Sequence, residues 1–493
     1  MNKIEEFYIN WIGGVEDYLR DYLRDIHGNL LKPRLIYKTL QDYVHKLLAG
    51  ELTSYEKIVL LPGLRGVGKT TLLAQLYFYH DFLDICVQER QTFNIFRLYV
   101  SVDRLQAFGI SLLEFYKFLK INILPKHEKH KILLLFDEIQ YDSQWALFLK
   151  LLFDENVGNK NLLVFATGSS ALLLNTQNTD LVRRTLLHRI LPENFVEFLY
   201  LHKDVQMDAG LSNSIREALF LSKNAQEVYT KLSKIKPMVV HEFAKIKNPQ
   251  ATFKEYLYKG SLPFSAVLPD ALAMQKIREM VLVNIVQKDI LQFGRFESNV
   301  LVQIPNLLML LAHSDEITTG KLAQTLGLSV NTVNRVLDTL KKTELLIELL
   351  PYGQPYAQVR KSPKFLFVSP NIRVGLLQGL LSKVKGKLLE DYFALIYEHY
   401  LSGMSQILHD YSKGGADFVI RFIDNSEIVV EIGFDKDPDG VLQVLDTMQK
   451  TSGRAKYGLV IGASTLKLEK VSYKRSGADI EAVQVPLEFL WLV

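Results

Sequence analysis

Certain short strings in the 493-residue chain carry side chains whose types and spacing could do chemistry. In "GLRGVGKTT", Gly63 is followed after four residues by Gly68, Lys69 and Thr70, directly downstream of the apolar run "KIVLLP". Glycines so spaced let successive backbone N–H groups converge on phosphate oxygens, while a lysine reaches the terminal phosphates and a threonine hydroxyl ligates magnesium. The expected cradle is Gly63, Arg65, Gly66, Val67, Gly68, Lys69, Thr70 and Thr71, and its expected occupants are ATP and Mg2+. A second string, "KILLLFDEIQ", ends an apolar run on Asp137 and Glu138. Asp137 is expected to share the magnesium with Thr70, and Glu138 to orient and polarise an attacking water. A third, "LLVFATGSS", places Thr167 or Ser169 near the terminal phosphate, although either could equally be the polar start of a helix.

Those groups can meet only if a common sheet presents them at one edge. Apolar runs at 57–62, 95–102, 131–136 and 162–167, with helical patterns between them, predict a parallel sheet covered on both faces. The run "FRLYVSVD" falls between the loop strand and the acidic strand in sequence, so the sheet is expected to insert a strand between them. Upstream, Ile4, Phe7, Tyr8, Trp11, Val15, Tyr18, Tyr22 and Ile26 recur at helical spacing, interrupted by Gly13 and Gly14. Apolar residues from 190 to 310 follow helical spacing. From 385 the pattern returns to strands in "DFVIRFI", "EIVVEIGF", "YGLVIG" and "LEFLWLV". The expected organisation is an α/β P-loop ATPase core at 34–200 behind a helical extension at 1–33. A helical lid at 201–310, a winged helix at 311–370 and an α/β domain at 385–493 follow.

Composition excludes little. A net charge of +4, from 58 basic and 54 acidic residues, neither requires nor forbids a polyanionic partner. One cysteine, Cys86, leaves no disulfide framework and fits a reducing compartment. The start "MNKIEEFYIN" lacks the order of a signal peptide, and "VLVQIPNLLMLLA" is too short and polar to span a bilayer, so a soluble cytoplasmic protein without membrane contact is expected.

In "ITTGKLAQTLGLSVNTVNRVLDTLKKTELLIEL", Leu322, Ala323 and Leu326 share one helical face and Val333, Val336 and Leu340 the next. Gly327 sits at the turn and Ser329 at a cap. That pattern predicts a helix-turn-helix, followed by a hairpin of "LLIELL" and "KFLFV". As a DNA reader its second helix would present Asn331, Thr332, Asn334 and Arg335, with Lys341, Lys342, Arg360, Lys361 and Lys364 available for phosphates. As a packing module it would serve beside the ATPase core without touching DNA.

Taken together, "GLRGVGKTTLL", "LLLFDEIQ", "FATGSS" and "RRTLLHRILPENFVEFL", with "YLYKGSLP" at 256–263 and "VQKDI" at 286–290, resemble a known group over residues 34 to 493. It is the prokaryotic AAA-type P-loop ATPases that carry a restriction-endonuclease-like C-terminal domain, relatives of the AAA+ and STAND proteins. The resemblance implies a lid and a winged helix. In that family a Gly-Arg pair precedes the Pro-x-x-Phe-x-Glu-Phe segment; here Arg184 holds the arginine position, which makes it the candidate γ-phosphate arginine, and Arg183 replaces the glycine. The resemblance also implies an endonuclease-like site of Glu390, Asp417 and Glu431. With a turn centred near Asn425, Asp417 is expected opposite Gly433 and diagonal to Glu431. Gly433 occupies the place of the family's lysine, so that site is expected to be degenerate, although Lys436 lies nearby in sequence.

These readings lead to expectations of different kinds. One is magnesium-dependent ATP hydrolysis coupled to DNA binding or remodelling, by a homo-oligomer acting as a motor on duplex or branched DNA. Another is a STAND-like nucleotide switch that binds a protein partner in defence or toxin-antitoxin systems. A third is an ATP-gated nuclease.

Overall fold

A computed structural model describes residues 2–25, 27–79, 94–169, 179–290, 296–314, 317–353, 360–378, 380, 385–434, 438–463, 468–475 and 478–493. Cys86, Ile26 and Lys436 lie outside the described residues. Contacts divide the chain after Leu191 into two compact units.

The first unit is built on five parallel strands, β1 Ile58–Pro62, β2 Ile95–Ser101, β3 Lys131–Asp137, β4 Leu162–Gly168 and β5 Leu186–Leu187. Their order is β2-β3-β4-β1-β5. All five residues of β1 are buried, as are all seven of β4, because strands covered on both faces read as continuous apolar runs. A strand does separate β1 from β3, as expected, but it is β4; the "FRLYVSVD" strand takes the edge beyond β3. Sequence order does not fix spatial order when helical crossovers return the chain to either side of a strand. Helix α1, Lys3–Asp21, packs Phe7, Val15 and Leu19 against this unit and runs unbroken through Gly13 and Gly14, correcting the expected interruption. Isolated glycines lower helix propensity without ending a helix whose apolar face is anchored. Helix α2 spans Tyr37–Ala49, α3 Lys69–Tyr77, α4 Val102–Ala107 and α5 Trp145–Glu155.

The second unit opens with helices, among them α6 Phe195–His202, α7 Ala209–Phe220 and α8 Ala225–Ala244. Helix α9, Ser298–His313, leads to α10 Thr319–Leu326 and α11 Val330–Lys342, joined through Gly327 and capped where the Ser329 hydroxyl accepts from the Thr332 N–H at 3.1 Å. The expected hairpin follows as β6 Leu346–Pro351 and β7 Lys364–Phe367, paired from Leu346 opposite Phe367 to Leu349 opposite Lys364. It does not stand alone. Leu350 and Pro351 also pair in parallel with Leu408 and His409 of β8, Ser405–His409. The hairpin thereby joins β9 Phe418–Phe422, β10 Glu427–Ile432, β11 Ala455–Ala463, β12 Glu469–Arg475 and β13 Ala478–Pro486 in one eight-stranded sheet ordered β12-β13-β11-β10-β9-β8-β6-β7. "LEFLWLV" forms a short helix from Leu487 to Trp491 rather than a strand. Short apolar runs carry no period that tells strand from helix, and the preceding strand ends at Pro486, which has no N–H to continue a ladder.

Helix α12, Pro370–Leu377, and helix α13, Lys385–Tyr400, brace this sheet. Arg373 and Asp391, both fully buried, form a two-pronged ion pair at 2.6 and 2.9 Å, and Arg373 also caps α9 through the Leu311 and Ala312 carbonyls. Asn371 donates to the Tyr256 and Leu257 carbonyls, each at 2.9 Å. Those carbonyls belong to a wide helical turn in "YLYKGSLP", and so the buried amide answers backbone groups that would otherwise be costly.

Candidate nucleotide site

The loop from Gly63 to Gly68 connects β1 to α3 at the C-terminal edge of the first sheet. Gly66 and Gly68 hold φ of 82° and 88°, the left-handed region that residues with a Cβ resist. A Cβ on Gly63 would lie 2.3 Å from the Ile190 carbonyl oxygen, so only glycine fits there. Val67 is fully buried, and the Arg34 guanidinium donates to its carbonyl at 2.9 Å and to that of Leu191 at 2.8 Å. Arg34 thus pins the loop from behind. Thr71 follows, half-buried, on the first turn of α3.

Lys69 is buried and donates to the Gly63 and Leu64 carbonyls at 2.8 and 3.1 Å. The Thr70 hydroxyl donates to Asp137 Oδ2 at 2.7 Å. Tyr99 donates to the same oxygen at 2.9 Å, and the Thr167 hydroxyl donates to Oδ1. Burial, then the neighbouring Glu138 charge, push the Asp137 carboxyl upward, while these three hydroxyls oppose the shift. Such a carboxylate is short of positive charge, which a divalent cation would supply.

Glu138 holds φ of 54° in the left-handed region, a strained position for a residue with a Cβ. Its carboxylate accepts from Gln140 Nε2 at 2.5 Å and lies 4.0 Å from the Arg65 guanidinium, which itself donates to the Tyr141 hydroxyl at 3.0 Å. The Glu138 N–H donates to the Thr167 hydroxyl at 3.2 Å. Ser169, directly after β4, has a buried hydroxyl with no hydrogen-bond partner among the described residues, and the neighbouring Gly168 carbonyl accepts from the Gly63 N–H at 3.3 Å. An unanswered buried hydroxyl beside a glycine loop, with a lysine and a carboxylate–threonine pair, fits a triphosphate and its magnesium.

Arg184 is not part of this arrangement. It pairs with Asp154 of α5 at 2.8 Å, and it precedes Leu186, which lies beside Val59 near the start of β1. The loop begins at Gly63, about 13 Å further along that strand at the usual strand rise. In this chain Arg184 therefore lies toward the opposite end of β1 from the loop.

In the second unit, Asn331, Asn334 and Arg335 are exposed along α11, and Thr332 shares a 2.8 Å hydrogen bond with Ser329. Lys341 is paired with Glu348 at 2.5 Å and Lys342 with Asp338 at 2.6 Å. Arg360 and Lys361 are at or near the surface, whereas Lys364 is buried and bound to Glu390, which corrects its expected availability to phosphates. The hairpin β9–β10 turns about Asp424, not Asn425; Asn425 takes the left-handed position that closes a three-residue turn, φ 62°. The register therefore sets Asp417 opposite Glu431, not opposite Gly433. The Asp417 N–H donates to Glu431 at 2.9 Å, and the Ile432 N–H donates to Asp417 at 3.0 Å. Burial, with Glu390 and Glu431 close by, holds the Asp417 carboxyl well above the usual range, and Lys364 counters it. Among the described residues no group of three or more His, Cys, Asp or Glu side chains is arranged to hold a metal ion. None of the described helices is long and apolar enough to cross a membrane.

Comparison with known proteins identifies two matching domain models. Residues 55–199 match the AAA domain model, and residues 250–382 match a domain of unknown function, DUF8612. The chain is 32% identical over 476 residues to the uncharacterized protein MJ1637 of Methanocaldococcus jannaschii, covering 93% of each. It belongs to the MJ1637 family. A second protein of that organism, MJ1544, is 35% identical over 147 residues, covering 29% of this chain and 28% of its own. Among solved structures, the Aeropyrum pernix ORC2 protein in its ADPNP-ADP complexes aligns at a TM-score of 0.37 and 14% identity, covering 75% of this chain and 97% of its own. The ORC1 protein of the same organism in complex with DNA aligns at 0.34 and 11%, covering 73% and 96%.

Sequence reasoning missed Arg34 and Gln140. Gln140 stands two residues after Glu138 in the quoted string and could have been found as its orienting partner. Nothing local marks Arg34, whose acceptors lie 33 and 157 residues away.

Proposed function

We propose that this AAA-domain protein binds ATP with magnesium at the Gly63–Thr71 loop, hydrolyses it, and couples turnover to DNA held by α11, in the cytoplasm. The observation that supports hydrolysis is the 2.7 Å hydrogen bond from Thr70 to Asp137 beside Lys69, which assembles both candidate metal-holding groups. Lys69 exchanges its loop carbonyls for phosphate oxygens on binding, and the backbone N–H groups near Gly66 and Gly68 line the phosphates. Thr70 and Asp137 would hold the magnesium ion, which would supply charge neutralisation at the phosphates when bound. Glu138, oriented by Gln140 and Arg65, accepts the proton of the attacking water, and Thr167 holds Glu138 and Asp137 in register. Arg184 serves the phosphates of a neighbouring copy in a homo-oligomer. Lys69→Ala should abolish nucleotide binding, whereas Glu138→Gln should bind and lose turnover; a fully active Glu138→Gln protein refutes the assigned base.

DNA coupling rests on the exposed Asn331, Asn334 and Arg335 beside Thr332. Duplex or branched DNA should stimulate phosphate release, with affinity falling steeply as salt rises. A second reading, a STAND-like switch with a protein partner, draws support from Lys341 and Lys342, which acidic neighbours already occupy. Equal hydrolysis with and without DNA, and no gel shift, would decide for it. We read Glu390, Asp417 and Glu431 as a retained scaffold rather than a nuclease; plasmid nicking that Asp417→Ala abolishes would overturn that.

A further inference from the structure

The Asp137 carboxylate is held from two sides. Two of its hydroxyl donors, Thr70 and Thr167, belong to elements that face the nucleotide loop. The third, Tyr99, comes from β2, is fully buried, and is itself held by the N-terminal helix α1. Trp11 of α1 donates its indole N–H to the Tyr99 carbonyl at 2.7 Å, with its ring 6.2 Å from the Tyr99 ring and nearly parallel to it. Tyr18 of α1 packs on Tyr99 at 6.1 Å, and its hydroxyl meets that of Tyr22 at 3.1 Å. From α4, which follows β2 directly, the Arg104 guanidinium covers the Trp11 and Tyr18 rings at 5.0 and 4.4 Å. Phe7, Val15 and Leu19 bury the apolar side of α1 so that these contacts have a fixed base.

Resting on the nucleotide reading above, we infer that Tyr99 is a positioning residue for the magnesium carboxylate and that α1 belongs to the ATP site through Trp11 and Tyr18. Thr70 Oγ1 can ligate a cation through its lone pairs while still donating to Asp137, and the Tyr99 hydroxyl, enclosed by α1, fixes the same carboxylate oxygen from β2. Tyr99 therefore keeps the carboxylate in one rotamer across the nucleotide cycle, and seating of the N-terminal helix sets how well magnesium is held.

The test compares wild type, Tyr99→Phe and Trp11→Phe in the full chain, by titrating a fluorescent, slowly hydrolysed ATP analogue with and without magnesium and recording melting temperature. Tyr99→Phe removes one hydroxyl and should raise the magnesium concentration for half-maximal tightening about three- to tenfold, the loss expected for one ordinary hydrogen bond. Affinity for the analogue without magnesium should stay unchanged. Trp11→Phe, which keeps the ring packing but removes the indole donor, should shift the same quantity less and in the same direction. A folded Tyr99→Phe protein with the wild-type magnesium midpoint overturns this inference alone. A wild type that binds no nucleotide, or a Lys69→Ala protein that binds it fully, overturns the underlying site instead.

Discussion

Two carboxylates, Asp137 buried at the end of β3 and Asp417 half-buried just before β9, stand in opposite surroundings. Around Asp137 the polar partners are the hydroxyls of Thr70, Tyr99 and Thr167, which can turn, with Glu138 adding negative charge. Around Asp417 they are a backbone N–H, which cannot turn, and Glu390 and Glu431, with the Lys364 ammonium bound to Glu390. One site is built of neutral donors and lacks balancing charge; the other carries its cation within the fold. The contrast teaches that an acidic cluster suits an incoming ion when its partners can be exchanged, and serves structure when a lysine of the same chain already stands there.

The largest expected contrast is in turnover. Asp137→Asn should lower magnesium-dependent phosphate release on the order of a hundredfold or more, as removal of a charge-stabilising group at a reacting centre does. The same change at Asp417 should leave it within about twofold. Equal losses at both sites would break the comparison. Next comes stability: Lys364→Ala strands Glu390 near two further carboxylates, and should destabilise the protein by roughly 3 kcal/mol in denaturant unfolding. A loss as small as that of an exposed pair would show that Lys364 does not balance this cluster.

A pH series sharpens the difference further. Because the folded Asp417 carboxyl sits above its ordinary value near 3.8, the folded state holds a proton that the unfolded chain releases as pH rises from about 4. Its contribution to stability is therefore greatest on the acid side and is lost as pH climbs through the raised value. Asp417→Asn should flatten that part of the wild-type melting-temperature profile, and an unchanged slope would refute the assignment. The smallest effect concerns α1, where Gly13 and Gly14 have open space at the Cβ position. Gly13→Ala should stabilise the first unit by about 0.5–1 kcal/mol without altering turnover.

What was legible in the sequence followed from local rules. Gly63 to Thr70, Asp137 and Glu138 could be placed because the loop must join a strand to a helix and the acids must end a neighbouring strand. Gly327, Ser329 and the apolar faces of α10 and α11 were equally readable from spacing. The rest depends on separations that no local pattern encodes. Arg34 reaches Leu191, Tyr99 reaches Asp137, and Lys364 reaches Glu390 only after the chain has folded. The strands Glu469–Arg475 and Ala478–Pro486 escaped notice because charged residues interrupt their apolar positions, and the β9–β10 register slipped because Asn425 closes its turn rather than centring it.

The shared pairing of Leu350 and Pro351 with Leu408 and His409 has a mechanical consequence. A load applied at Asn334 passes from α11 into β6 and from there along a continuous backbone ladder to the far strands of the same sheet. Through those two pairs the strand that follows α11 is tied by backbone hydrogen bonds into the eight-stranded sheet, so a displacement of β6 is shared with β8.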